Sequence, residues 1–203
     1  MNKKALILDL DNTIYPVPSI GDELFKPLFD LITDCGEYKG EFEEIKKDMM
    51  RIPFQKVAKK YEFSEQLTEK GDQLLKDLTY DKEMSPFEDY ATIRDISCKK
   101  FLVTTGYTKM QQSKVDRLGL EKDFDEVHIV DPSISGKTKK DIFKDILDRH
   151  GFDATDVLVV GDDPESEIKA GKELGIDTVL YTKNVTKTEG QSISDFSQLK
   201  EFL

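Results

Sequence analysis

The chain has 203 residues, enough for one large domain or for a core domain carrying a smaller insertion. Its hydrophobic share, 37%, is modest but gathered into discrete apolar runs, which excludes a disordered chain. A formal net charge of -11 argues against nucleic acid or an anionic membrane as partner, and no stretch approaches the roughly 18 apolar residues of a membrane span.

The first run, Ala5 to Leu8, is wholly apolar, the mark of a strand buried on both faces. It is too short for the core of a signal peptide, being broken at once by Asp9 and Asp11, so a cytoplasmic protein is expected. Residues 15–84 contain no strand-like run. They carry helical patterns at 22–33, 41–50, 53–61 and 64–78, entered through Pro16, Pro18 and Gly21 and left through Ser85-Pro86. Four more apolar runs follow: 101–103, 127–130, 157–160 and 178–181. Between them lie helical stretches at 108–118, 138–149 and 165–174, closed by Gly119, Gly151 and Gly175. Residues 183–195 read as a polar surface loop before a short terminal helix. Strands alternating with helices predict an α/β fold, a Rossmann-like doubly wound parallel sheet, with an all-helical insertion after the first strand. Cys35 and Cys98 are expected as free thiols, and His128 and His150 as structural histidines.

Chemistry gathers at the strand ends, where ligands of open parallel sheets bind. Asp9-Leu10-Asp11-Asn12-Thr13 follows the first strand, and residues two apart in extended chain face one site. Two converging carboxylates imply either a shared proton or a cation. Asp162, directly after the run 157–160 and Gly161, brings a third oxygen to the same sheet edge, and hard oxygen donors suit Mg²⁺. Thr104, Thr105 and Gly106 end another strand with hydroxyls and backbone N–H groups suited to a phosphoryl oxygen. Lys137, opening a helix, is the candidate cation for nucleophile and phosphate.

Taken in order, Asp9/Asp11/Thr13, Thr104, Lys137 and Asp162/Glu167 resemble the motifs of the haloacid dehalogenase superfamily, specifically its phosphatases. The segment from Gln111 to Leu120 and the nearby Asp123-Phe124-Asp125 resemble the stretch joining its second and third motifs. The opening Asp-Leu-Asp-Asn-Thr-Ile-Tyr-Pro is similar to pyrimidine 5'-nucleotidase-like members. The resemblance implies a core domain of residues 1–14 and 85–203 with a helical cap, residues 15–84. It implies Asp9 as nucleophile, forming an aspartyl-phosphate, and Asp11 as general acid and base. It implies Mg²⁺ held by Asp9, the Asp11 carbonyl and Asp162, with Thr104, Thr105, Gly106 and Lys137 binding a small-molecule phosphate ester, a nucleotide or sugar monophosphate. Dehalogenases of the superfamily lack an aspartate at the second position, so Asp11 points to phosphoryl transfer. Glu167 and Asp163 stand where the pattern often has Asp and Ser, leaving open which is the outer metal ligand, and Thr105 replaces a frequent Asn.

Four other readings compete with this one. Ser135-Gly136-Lys137-Thr138 imitates a P-loop, but Asp131 stands where that pattern needs glycine. A receiver domain carries adjacent acids and no helical insertion. A phosphomutase, or a silent binding protein on the same scaffold, shares the motifs.

Overall fold

The computed structural model describes residues 3–183 and 191–203. Six parallel strands form one sheet: β1 (Ala5–Leu8), β2 (Lys99–Thr105), β3 (Glu126–Val130), β4 (Val157–Gly161), β5 (Asp177–Tyr181) and β6 (Ser192–Ile193), in the order β3-β2-β1-β4-β5-β6. From central β1 the chain builds outward to β3 on one side. It then crosses to β4 and builds outward on the other. The reversal places a topological switch point beside β1 and β4, the usual ligand crevice of such sheets.

The central strands β1 and β4 are apolar on both faces because both are covered. Ala5 and Ile7 join Phe101, Val103, Val157 and Val159 in one core cluster, with Phe143 and Ile146. Leu6 and Leu8 join Leu102, Leu158, Val160 and Val179 in the other. The register Leu8↔Leu102 and Leu8↔Val160 brings the carboxyl ends of three strands to one edge.

After β1 the chain forms five helices in succession: α1 (Pro18–Leu24), α2 (Lys26–Cys35), α3 (Phe42–Met49), α4 (Phe54–Lys60) and α5 (Glu65–Asp77). Their apolar faces, including Leu28, Ile32, Phe54, Leu67 and Leu75, belong to the same cluster as Leu6 and Leu8. The pattern predicted at 22–33 is two helices meeting at Phe25. Pro27 explains the break: it has no N–H to donate, and its ring would clash with the carbonyl four residues back. After a single 3-10 turn and the short α6 (Ala91–Asp95), which sequence reasoning missed, come α7 (Thr108–Leu118) and α8 (Lys139–His150). A turn of π-helix (Pro164–Ile168) then runs into α9 (Lys169–Glu173). β6 also went unpredicted, inside a segment read as loop; the rest of that reading, residues 184–190, lies outside the described residues. Gly119 and Gly151 end α7 and α8 in the left-handed region, at φ 63 and 65°.

Cys35 and Cys98 are free and half-buried. His128 and His150 both face the Glu126 carboxylate, at 2.8 and 2.7 Å, and Arg149 donates to the same group at 2.6 and 3.0 Å. Hydrogen bonds from Arg149, then from the two histidines, pull Glu126 down to about 2. Among the described residues, no helix is long and apolar enough to cross a membrane.

Gly71 is the tight point of the helical layer. A Cβ there would lie 2.5 Å from Phe54 Cζ and 3.2 Å from Leu28 Cδ1. Alanine improves helix propensity by about 1 kcal/mol, but overpacking a filled core costs about 1–3 kcal/mol. Gly71→Ala is therefore expected to lower the urea midpoint at unchanged m-value. A raised midpoint would mean that α4 shifts to make room.

Candidate active site

Three strand ends and one helix start converge. Asp9 follows β1, its N–H donating to Val160 O at 3.0 Å, and its side chain is buried. Asp162 follows β4. Lys139, the first residue of α8, points inward, its Nζ 2.6 Å from Asp9 Oδ1 and 2.7 Å from Glu167 Oε2. Glu167 Oε1 accepts from the Asp163 N–H at 2.7 Å. Glu167 reaches this place by crossing Gly161, where a Cβ would sit 2.2 Å from Glu167 Cγ. Glycine before Asp162 is thus a packing requirement.

The ammonium that lies against Asp9 belongs to Lys139 and not to Lys137, the residue expected there. Lys137 is exposed on the rim of the cavity, while Lys139 is buried against Asp9. Thr138, between them, is the N-cap of α8, closed by a capping box with Asp141, so Lys137 lies outside the helix. The helical spacing was the signal: the buried residues of α8 are Lys139, Phe143 and Ile146, four and three apart. Asp163 and Glu167, between which the outer ligand was left open, differ in geometry. Asp163 Oδ1 caps the following turn by accepting from Glu165 N at 2.8 Å, while Glu167 faces Asp9.

Thr104 is buried and Thr105 half-buried, both on the cavity wall. Two backbone donors near this strand end have partners within the protein: Gly106 N–H donates to Val130 O at 3.0 Å, and Thr108 N–H to Asp131 Oδ2 at 2.8 Å. Thr13 is fully buried behind the loop.

Asp11 turns toward α7. Its Oδ1 accepts from Tyr15 Oη at 2.5 Å and Lys114 Nζ at 2.8 Å, and its Oδ2 accepts from Gln111 Nε2 at 2.9 Å. Sequence reasoning quoted Gln111 and Lys114 within a longer segment without giving them a role.

Electrostatics separate the carboxylates. Burial raises Asp9 to about 7; Lys139 opposes this, and the charges of Glu167 and Asp11 add to it. Burial, then the charges of Asp9 and Glu167, raises Asp162 to about 8. Burial works against ionised Glu167, but Lys139 outweighs it and holds that carboxyl below its ordinary value. Burial likewise opposes ionised Asp11, but Lys114, Tyr15 and Gln111 hold it low. One oxygen each of Asp9, Asp162 and Glu167 lie within 4.8 Å of one another. Ionising all three carboxyl groups beside one ammonium would leave an excess of negative charge, and all donors are hard oxygens. Both facts fit Mg²⁺.

Above this floor lies a cavity of about 810 Å³. Its far wall comes from the end of α3 through the start of α4, including Arg51, Gln55 and Lys56. Asn12, at φ 57°, ties the two walls: its Nδ2 donates to Met50 O at 3.2 Å. Gln55 Nε2 donates to Tyr107 Oη at 2.9 Å, and that hydroxyl donates to Asp72 Oδ1 at 2.7 Å.

Residues 3–175 match the haloacid dehalogenase-like hydrolase family. The chain is 34% identical over 106 residues to glyceraldehyde 3-phosphate phosphatase of Methanocaldococcus jannaschii, covering 52% of the chain and 46% of that protein. It is 36% identical over 108 residues to pyrimidine 5'-nucleotidase YjjG of Escherichia coli, covering 50% of the chain and 48% of that protein. The chain thus spans about half the length of these two curated relatives. Its match to the Methanothermobacter thermautotrophicus glyceraldehyde 3-phosphate phosphatase is 26% identical and covers 98% of the chain and 99% of that protein. In fold it is similar to the haloacid dehalogenase-like hydrolase SP0104 of Streptococcus pneumoniae, with a TM-score of 0.74, 16% identity and 99% of each chain covered.

Proposed function

The chain belongs to the haloacid dehalogenase-like hydrolases, and from that premise we propose that it is a magnesium-dependent phosphatase of a small phosphorylated metabolite, acting through an aspartyl-phosphate on Asp9. The observation that carries the reading is the buried Asp9–Lys139–Glu167 cluster beside Asp162 on the floor of the cavity. Asp11 supports phosphoryl transfer over dehalogenation, because an alkoxide leaving group needs a proton and a halide does not. The named relatives act on small monophosphates, glyceraldehyde 3-phosphate and a pyrimidine nucleotide, and a substrate of that class is proposed here. Residues 15–84 are proposed as the cap over it.

Asp9 attacks phosphorus as the ester P–O bond breaks, and the leaving oxygen takes a proton from Asp11. That carboxyl, held ionised in the free site by Lys114, Tyr15 and Gln111, takes up the proton from solvent as the phosphate dianion arrives, because a like charge beside it favours its neutral form. Asp11, now a carboxylate, removes a proton from the water that attacks phosphorus and frees inorganic phosphate and Asp9. The Lys139 ammonium favours the ionised form of Asp9 against the effect of burial and offsets the charge of the arriving phosphate. Thr104 orients the phosphoryl group by its hydroxyl. Asp9, Asp162 and the Asp11 carbonyl would hold Mg²⁺, with Glu167 beside them, and the ion when bound would screen carboxylate from phosphate and polarise the phosphoryl oxygens.

The test is release of nitrophenol from p-nitrophenyl phosphate with Mg²⁺ and with chelator, read beside thermal unfolding. Mg²⁺ at about a hundredfold over Kd adds about 2.7 kcal/mol, a rise in Tm of about 5–10 °C for a chain of this size. Asp162→Asn is expected to fold and to lose both the rise and the activity. Undiminished hydrolysis in chelator would overturn the magnesium assignment.

A further inference from the structure

Asp11 is held by an arrangement that a solvated turn aspartate does not need. Gln111 and Lys114 lie one turn apart on α7, and both side chains are buried. Burying a lysine is costly unless its charge is paired, and the partner of Lys114 is Asp11, at 2.8 Å. Tyr15, fully buried, donates to the same carboxylate oxygen at 2.5 Å. The Gln111 amide nitrogen donates to the second oxygen at 2.9 Å and to Thr104 Oγ1 at 2.6 Å. An amide nitrogen carries two N–H donors, so it serves both at once. One side chain therefore links the hydroxyl assigned to the phosphoryl group with the carboxyl assigned to the proton.

We infer that Lys114, Gln111 and Tyr15 are positioning residues that fix the Asp11 carboxyl for proton transfer to the leaving oxygen. The inference rests on Asp11 as general acid and adds how that acid is aimed. Proton transfer requires the donor oxygen within hydrogen-bond reach of its acceptor, and a displacement of about 1 Å costs about a hundredfold in rate. With its three donors in place, Asp11 has one orientation. With any of them lost, the carboxyl gains freedom about its side-chain torsions.

As the ester bond breaks, its electron pair passes to the leaving oxygen. Nitrophenolate bears that charge unaided, whereas the more basic phenolate needs the proton from Asp11. Phenyl phosphate and p-nitrophenyl phosphate differ little in shape, so their kcat/KM ratio reads the proton donor. Because kcat/KM covers events only through ester cleavage, the later attack by water does not enter it.

Lys114→Met and Tyr15→Phe are expected to lower kcat/KM for both esters, with the loss on phenyl phosphate about tenfold or more the greater. Lys114→Arg is expected to restore part of the ratio. Tyr15→Phe removes one hydroxyl from a packed ring and serves if Lys114→Met does not fold. Damage to the fold would depress both esters alike. Asp11→Asn separates the two levels of argument. Equal losses on both esters in Asp11→Asn would overturn the general-acid assignment, and this inference with it. A leaving-group split in Asp11→Asn, absent from Lys114→Met and Tyr15→Phe, would overturn the positioning role alone.

Discussion

Asp9→Asn is expected to lower kcat/KM for p-nitrophenyl phosphate by at least about 10⁴-fold, a loss of about 5.5 kcal/mol of transition-state stabilisation. The argument is chemical and geometric. An amide oxygen is a far weaker nucleophile than a carboxylate, and no other carboxylate takes the same position. Glu167 is held by Lys139 and the Asp163 N–H, and Asp11 by Tyr15, Lys114 and Gln111. The substitution keeps the shape of the side chain and retains the Lys139–Glu167 pair, so the fold is expected to persist. Circular dichroism of the variant, measured beside its kinetics, checks that. Activity close to wild type in a folded Asp9→Asn protein would overturn the nucleophile assignment and the proposed function.

Lys139→Met carries the second large expectation, with Lys137→Met as its contrast. Removing the ammonium leaves Asp9 and Glu167 buried and facing one another without a counter-charge. Breaking a buried pair in this way costs about 3–5 kcal/mol of stability. It also pushes the Asp9 carboxyl further up, since Lys139 is the group that opposes the effect of burial. A protonated Asp9 cannot attack phosphorus. The combined loss in kcat is expected at about 10³-fold or more, together with a lower Tm. Lys137→Met changes an exposed side chain ahead of the helix. Its stability should move by no more than about 0.5 kcal/mol, and its kcat by less than tenfold. Steady-state kinetics and thermal melts of the two variants decide the matter. A larger effect at Lys137 would return the role to the residue that sequence reasoning chose.

That exchange of one lysine for another two residues away shows where reading the chain succeeds and where it fails. Apolar runs buried on both faces need no tertiary information, because a strand covered on each side must be apolar at every position. β1 and β4 were legible for that reason, and with them the location of Asp9 and Asp162 at strand ends. α8 was legible from its apolar spacing and its closing Gly151, and α7 from its closing Gly119. By contrast, α6 and β6 are too short, at five and two residues, to show a period.

Residue types and order along the chain determined the α/β class, the acidic strand ends and the membership in a hydrolase family. Those properties depend on local pattern and on motifs that follow one another in sequence. Only the tertiary structure decided which of three nearby lysines meets Asp9, that Glu167 rather than Asp163 groups with Asp9 and Asp162, and that Asp11 is held from α7. Each of these is a contact between residues far apart in the chain: Lys139 and Asp9 are separated by 130 positions, and Lys114 and Asp11 by 103. Local propensity carries no information about which side chain will arrive at such a point, because strand register, the start of α8 and the missing Cβ of Gly161 set the approach together.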